Sequence, residues 1–429
     1  MVTKNLKQAK NWYKLDNAAK IYPAVRTKKW SGNFRLSLNF NEKVEPDILQ
    51  QALDDVRKRI INLNLELKKG LFWYFFEETD RPVLIQPERQ SPCGRIGGIH
   101  NKDMPYRVTY YNNRIAIEIF HALADGTGGL IFLKSIAARY IELKYHEKIP
   151  EFEDIILCES EYSSEEMEDA FKRYAKFRTL KSRSELKGYH FKGTPLPSDQ
   201  TSVITGIIPF SKLHEKSKEY KVTVTEFIVS LMIKSFTECQ SKSKNRIEKP
   251  VKVSVPINLR KIYPSRTLRN FALYINPGIE PRYGEFTFQE ITEEVHHFMR
   301  MNNKEKYLNA IMCKNLSDEF NPVVRVIPLF IKNVALFTAF KMYGETLVSS
   351  TFSNLGNVTL PPEMSNHIER VEFMLGKFMA GMPSAAAASY NGNLYINWTS
   401  GFYEKDVEKG FFTSLIKMGV PVKIESNLI

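Results

Sequence analysis

The stretch Ile115–Leu130, IAIEIFHALADGTGGL, constrains this chain more than any other. Ile115, Ile117 and Ile119 alternate with other residues, the period of a strand that turns one face inward. His121 follows, then Asp125 and Gly126, after which Leu130, Leu133, Ile136, Ala137 and Tyr140 recur at helical spacing to about His146. A strand that ends on a histidine and passes into a helix holds the imidazole where a base can face a cleft. Asp125-Gly126 is expected to make a sharp turn there, because glycine tolerates backbone angles that other residues avoid. The pattern H-x-x-x-D-G is short, and a lone histidine is more often structural than catalytic, so its meaning depends on the rest of the chain.

A chain of 429 residues exceeds one ordinary core and suits two domains of about 200 residues each. Gly193-Thr194-Pro195-Leu196-Pro197 marks the expected boundary, giving lobes 1–195 and 196–429. Hydrophobic residues at 43% and charged residues at 25% place the chain in the soluble globular class. The net charge of +13 points to anionic partners: a nucleotide-bearing cofactor, an acidic carrier protein, nucleic acid or a membrane surface. Cys93, Cys158, Cys239 and Cys313 lie far apart and form no C-x-x-C, so neither a zinc site nor a disulfide framework is expected, and a reducing compartment fits. The opening residues MVTKNLKQAKNWYK have no apolar run, which argues against a secretory signal. The most apolar later run, Val326–Tyr343, contains Pro328, Lys332, Asn333 and Lys341 and reads as a buried helix, not a membrane span.

In chain order, Phe34–Phe40 alternates as a strand, and Pro46 opens a helix with Leu49, Leu53, Val56, Ile60 and Leu63 on one face. Leu71–Glu77 is an aromatic strand. Gly94, Gly97 and Gly98 mark a loop before a hairpin, Tyr106–Tyr111 and Arg114–Phe120, turned at Asn112-Asn113. Nine acidic residues between Glu151 and Asp169 precede eight basic ones from Lys172 to Lys192, a polarised stretch that reads as a solvated helical connection. The second half repeats the grammar: strand Thr201–Phe210, a helix Glu226–Glu238 capped by Thr223 or Thr225, then strand Val251–Ile257. His296 and His297 sit side by side on a helix, cannot share one site, and read as surface. A hydroxyl-rich strand Thr346–Asn354 is broken at Gly356, a hairpin turns at Asn391-Gly392, and a last helix spans Lys405–Met418. Trp398, in the return strand of that hairpin, reads as core.

Taken together, HALADG at 121–126, PINLR at 256–260, TLRNF at 267–271, SNLG at 353–356 and the C-terminal YNGNLYINW hairpin form a recognisable set. Their order and spacing resemble the alcohol acetyltransferase branch of the chloramphenicol-acetyltransferase-like superfamily, which also holds condensation domains, plant BAHD acyltransferases and wax-ester synthases. The resemblance covers nearly the whole chain, from the Trp12–Pro23 region to the last helix. The histidine motif is shared across the superfamily, whereas PINLR, TLRNF and SNLG point to the branch. No DFGWG-type segment is present, which argues against the BAHD branch, and no carrier domain accompanies the two lobes.

The resemblance implies an α/β fold of two similar lobes, each a mixed sheet with flanking helices, with a tunnel at their interface. It implies transfer of an acyl group, acetyl the first expectation, from a CoA thioester to an alcohol. His121 would be the general base, with Asp125 and Gly126 completing the motif, and no acyl-enzyme would form. A catalytic-triad role for Asp125 is the alternative to a structural pair with Arg260; the resemblance implies the pair, and a buried carboxylate needs such a partner. Ser353 and Asn354 are candidates for contact with the oxyanion or the cofactor, or merely cap a strand end. Acyl-CoA is expected as co-substrate with no tightly bound cofactor and no metal, its phosphates met by lysines and arginines of the second lobe. The expected protein is a cytoplasmic monomer without nucleic-acid partners. Two rival readings are condensation-type transfer from an acyl carrier protein to an amine or hydroxyl, and a catalytically inactive binding homologue.

Overall fold

The computed structural model describes residues 10–27, 30–96, 104–176, 185–243 and 248–427. The first sheet runs Ile368–Leu375, Asn33–Phe40, Arg114–Phe120, Tyr106–Tyr111 and Gln86–Pro87, antiparallel except for the last pair. Leu36, Leu38, Ile115, Ile117 and Ile119 share one buried face of this sheet with the helices Pro46–Arg59 and Gly126–Tyr145. The opposite face carries charge that is paired inside the protein: Arg35 and Arg107 both bond the carboxylate of Glu118. Strand 368–375 belongs to the second half of the chain, so the first sheet takes an edge strand from beyond residue 195.

The second sheet has eight strands. Seven follow the order Ala272–Ile275, Val251–Asn258, Ser350–Asn357, Ser384–Tyr390, Asn393–Ser400, Ser202–Pro209, Lys423–Ser426, and Gly278–Ile279 also pairs with 251–258. Strand 350–357 is parallel to both of its neighbours. The helices Val224–Ser241, Phe288–Asn302 and Asp406–Lys417 belong to the core that covers one face. The first of these is fixed by a capping box: Thr223 Oγ accepts from the Glu226 amide at 3.2 Å, and the Glu226 carboxylate accepts from the Thr223 amide at 2.8 Å. Thr223, not Thr225, is therefore the cap. The hairpin 384–400 turns through Asn391 (φ 46°) and Gly392 (φ 75°), two left-handed residues in the turn type whose twist matches the strands.

Several expectations are corrected. The aromatic strand lies at Tyr74–Glu78 and pairs with Trp12–Lys14 and Leu65–Lys69 in a small third sheet, because the preceding helix stops at Arg59. The polarised stretch is not one helix: a short helix Ala170–Tyr174 is followed by residues outside the described set, then by chain without regular secondary structure from 185. Gly97 and Gly98 also lie outside the described residues. His296 is half-buried, with Nδ1 at 3.3 Å from Glu226 Oε2. The apolar run 326–343 is not a buried helix. Pro328 has no amide hydrogen to give and splits it into Pro322–Val326 and Leu329–Tyr343, and the second of these leaves an apolar face uncovered. No helix among the described residues is long and apolar enough to cross a membrane.

Candidate active site

A cavity of about 290 Å³ lies between the two sheets. Strand alternation builds its floor. Along 251–258 and 350–357, Val253, Val255 and Phe352 point into the core, whereas Ser254, Thr351 and Ser353 point into the cavity. The other walls are Tyr22, Trp30, Phe34, Phe373 and Phe378.

His121 enters this space from the end of strand 114–120, its amide bonded to the Gly32 carbonyl at 2.9 Å. Its ring stacks on Tyr22 (4.6 Å between centroids, 7° between planes) and meets Phe34 edge-on at 5.2 Å. Nδ1 lies 3.0 Å from Asn270 Oδ1. The Asn270 amide nitrogen donates in turn to Asp16 Oδ2 at 3.1 Å. Asp16 is inaccessible to solvent, accepts from the Ala19 amide at 2.7 Å, and has Arg269 Nε at 3.7 Å. This chain of contacts determines the tautomer. A carboxylate only accepts, so the amide turns its NH₂ to Asp16 and its oxygen to His121; the oxygen requires a proton on Nδ1, and Nε2 keeps its lone pair for the cavity. Burial holds the imidazole pKa below its usual value, so the ring is neutral near pH 7. Burial likewise raises the Asp16 carboxyl, to about 6, against the opposing pull of Arg269.

Asp125 spends its hydrogen bonds on partners other than His121. It caps the helix 126–145, with Oδ1 accepting from the Gly128 amide at 3.0 Å. Oδ2 accepts from Arg260 at 2.7 Å and from the Phe271 amide at 2.8 Å. Arg260 also donates to the carbonyls of Thr267 and Arg269 and to Asn258 Oδ1, so one guanidinium ties the helix cap to segment 267–271. Although burial alone would raise it, this pairing holds the Asp125 carboxyl below the ordinary carboxylate range.

Gly126 does not need left-handed backbone, which corrects the expected turn. It is the first residue of the helix, and a Cβ there would sit 3.2 Å from Leu355 and 3.4 Å from Phe373. The tighter glycine is Gly128, where a Cβ would fall 2.1 Å from the Leu268 carbonyl oxygen. Segment 267–271 can reach Asp125 and His121 only because this position has no side chain.

Ser353 and Asn354 both border the cavity. Asn354 uses its amide on Thr225 Oγ (3.1 Å) and on the Gly356 amide (2.9 Å), while the Ser353 hydroxyl has no partner among the described residues. Trp398 is buried against Phe411, outside the cavity. No lysine or arginine is among the described residues that line the cavity. Lysines gather instead around a second space of about 840 Å³ (Lys192, Lys234, Lys242, Lys249, Lys409 and Lys417) at the far end of the helix 224–241. Three residues of the site carried no assigned role in the sequence: Asn270, Asp16 and Tyr22. Asn270 lay inside a quoted motif, whereas nothing local distinguishes Asp16 or Tyr22.

The sequence matches no protein-family model and no curated protein sequence. Solved structures do match. The trichothecene 15-O-acetyltransferase TRI3 of Fusarium sporotrichioides superposes with a TM-score of 0.62 at 9% identity, over 95% of this chain and 94% of that one. Polyketide synthase associated protein 5 of Mycobacterium tuberculosis gives 0.61 at 13%, over 94% and 96%. The starter condensation domain of rhizomide synthetase, in complex with C8-CoA and Leu-SNAC, gives 0.56 at 12%, over 95% and 92%. The chain therefore shares the fold of these structures, which include an acetyltransferase and a condensation domain.

Proposed function

We propose that this chain is an acyltransferase that moves an acyl group from a CoA thioester to an alcohol, with His121 as general base. The observation that carries the reading is the imidazole in the interlobe cavity, neutral and oriented through Asn270 so that Nε2 is the free nitrogen. In this reading Nε2 takes the proton of the acceptor hydroxyl as its oxygen attacks the thioester carbonyl. The C–S bond then breaks, and the same proton passes to the departing thiolate. The carbonyl oxygen gathers negative charge in between, and the Ser353 hydroxyl is the donor we assign to it. The aromatic walls keep water from the thioester. Asp125 and Arg260 form a structural pair that positions segment 267–271, and Gly126 gives Leu355 and Phe373 room beside the histidine. The likeness to TRI3 and to a condensation domain complexed with C8-CoA supports acyl chemistry; the carrier-protein donor remains the second reading, since condensation domains share the fold.

The lobes of this reading are 1–195 with strand 368–375 added, and the remainder of 196–429. Both lie in one chain, which supports a monomer; the four cysteines are free, which supports a cytoplasmic protein. Release of free thiol from acetyl-CoA in the presence of an alcohol panel tests the proposal. His121→Ala should lower that rate about 10²- to 10⁴-fold with folding nearly unchanged. Turnover only with a loaded carrier protein would select the second reading, and wild-type turnover in the variant would sink the mechanism.

A further inference from the structure

Apolar side chains on the surface of a soluble protein are ordinarily scattered, and a contiguous group marks an interaction site. Here Leu71, Trp73, Val326, Phe330, Val334 and Met342 are each between 45% and 71% exposed. They come from the turn 70–73, the short helix Pro322–Val326 and the helix Leu329–Tyr343, and the turn and the long helix are held together: the Leu329 amide donates to the Leu71 carbonyl at 2.8 Å, and Lys332 Nζ donates to the Phe72 carbonyl at 3.0 Å. Phe330, Val334 and Met342 fall in one four-residue row of the helix Leu329–Tyr343, so they share a face. The opposite side of that helix packs inward, with Phe340 against Trp30 at 5.3 Å, and Trp30 lines the His121 cavity.

The charge along the helical part of this face has one sign. From residue 321 to 344 there is no Asp or Glu, while Arg325, Lys332 and Lys341 are present. Lys332 also donates to the Arg325 carbonyl, and Lys341 lies over the Phe337 ring, so these ammonium groups sit against uncharged partners. A second copy of the chain would set these cations against their own images. An anionic lipid surface complements both properties at once, burying Trp, Phe, Leu and Val side chains while its headgroups meet the cations.

We propose that the face formed by turn 70–73 and helix 329–343 docks on an anionic lipid surface, with the His121 cavity beside it. The docking does not depend on the acyl-transfer reading. Flotation of the full chain with vesicles of phosphatidylcholine and phosphatidylglycerol tests it. The protein should float with these vesicles at low salt, and much less with phosphatidylcholine alone or at high salt. Phe330→Glu with Val334→Glu should weaken the partition by about tenfold or more, and Lys341→Gln by about fivefold. An unchanged circular-dichroism melting curve shows that the variants are folded. Three results overturn the proposal: no flotation of the wild-type chain, equal flotation of the double variant, or light scattering in which the double variant dissolves a dimer that does not bind vesicles. Capture of an acidic protein that is lost in the double variant, without vesicle binding, would overturn it as well.

Discussion

Two buried carboxylates flank the same short segment, 267–271, and respond to burial in opposite ways. Asp125 has an arginine at 2.7 Å and two backbone amides on its oxygens, and its carboxyl is held low. Asp16 has one backbone amide, one side-chain amide and an arginine nitrogen no nearer than 3.7 Å, and its carboxyl rises to about 6. Depth is not what separates them, since both are enclosed. The difference lies in the contact with a full positive charge, which offsets desolvation only when the geometry is close. One carboxylate therefore acts as a clamp between the lobes, and the other as an acceptor that orients an amide.

The largest way to break this comparison is to remove the clamp. Arg260→Ala leaves Asp125 buried with amide partners alone, and should cost on the order of 3–5 kcal/mol in chemical denaturation. Asp125 contributes stability above its unfolded pKa that fades as pH falls towards its lower folded value, so the variant's deficit should shrink below about pH 4. A deficit under about 1 kcal/mol at pH 7 would mean that the backbone amides suffice.

Cutting the relay should affect rate more than stability. Asn270→Ala frees the imidazole to rotate and to place its proton on either nitrogen. Turnover should fall about 10- to 100-fold, less than the loss of the base itself, with KM for either substrate little changed. A fall confined to KM would make Asn270 a binding residue and not one that positions His121.

Asp16→Asn sharpens the contrast through pH. The Asp16 carboxyl is raised, so the folded chain holds a proton there that the unfolded chain releases between about pH 4 and pH 6. The stability of the wild type relative to the variant should thus decline across that window, by at most about 1.4 kcal/mol per pH unit, and level off above it. A flat difference from pH 4 to pH 7 would remove the distinction between the two carboxylates. The smallest effect concerns His121, whose acid limb in kcat/KM should lie below the usual histidine midpoint of about 6.5 because burial disfavours the imidazolium. The Asn270 contact acts in the opposite sense, so Asn270→Ala should move that limb further down. An upward shift would contradict the assigned orientation.

What was legible in the chain is what depends on local pattern. Ile115, Ile117 and Ile119 alternate because one face of their strand is core, and Pro46, Thr223 and Asn391-Gly392 mark element ends because their own chemistry requires it. His121 at a strand end, Asp125 at a helix start and Arg260 after a strand are all visible as local signals, and the family resemblance is what implies that Asp125 and Arg260 pair. Contacts made by residues distant in sequence were not visible. Asp16 lies 254 residues from Asn270, and strand 368–375 joins a sheet whose other members all precede residue 121. Gly126 was read as a turn former when its neighbours Leu355 and Phe373, both remote, are what it accommodates. The apolar run 326–343 was read as core because composition reports how much a segment gains from burial, not whether anything covers it. Periodicity and capping thus gave many of the elements and placed the histidine at a strand end. The relay that orients it, the clamp that joins the lobes and the face left open to a partner were decided by tertiary packing, because each rests on distances between chain segments that no local pattern encodes.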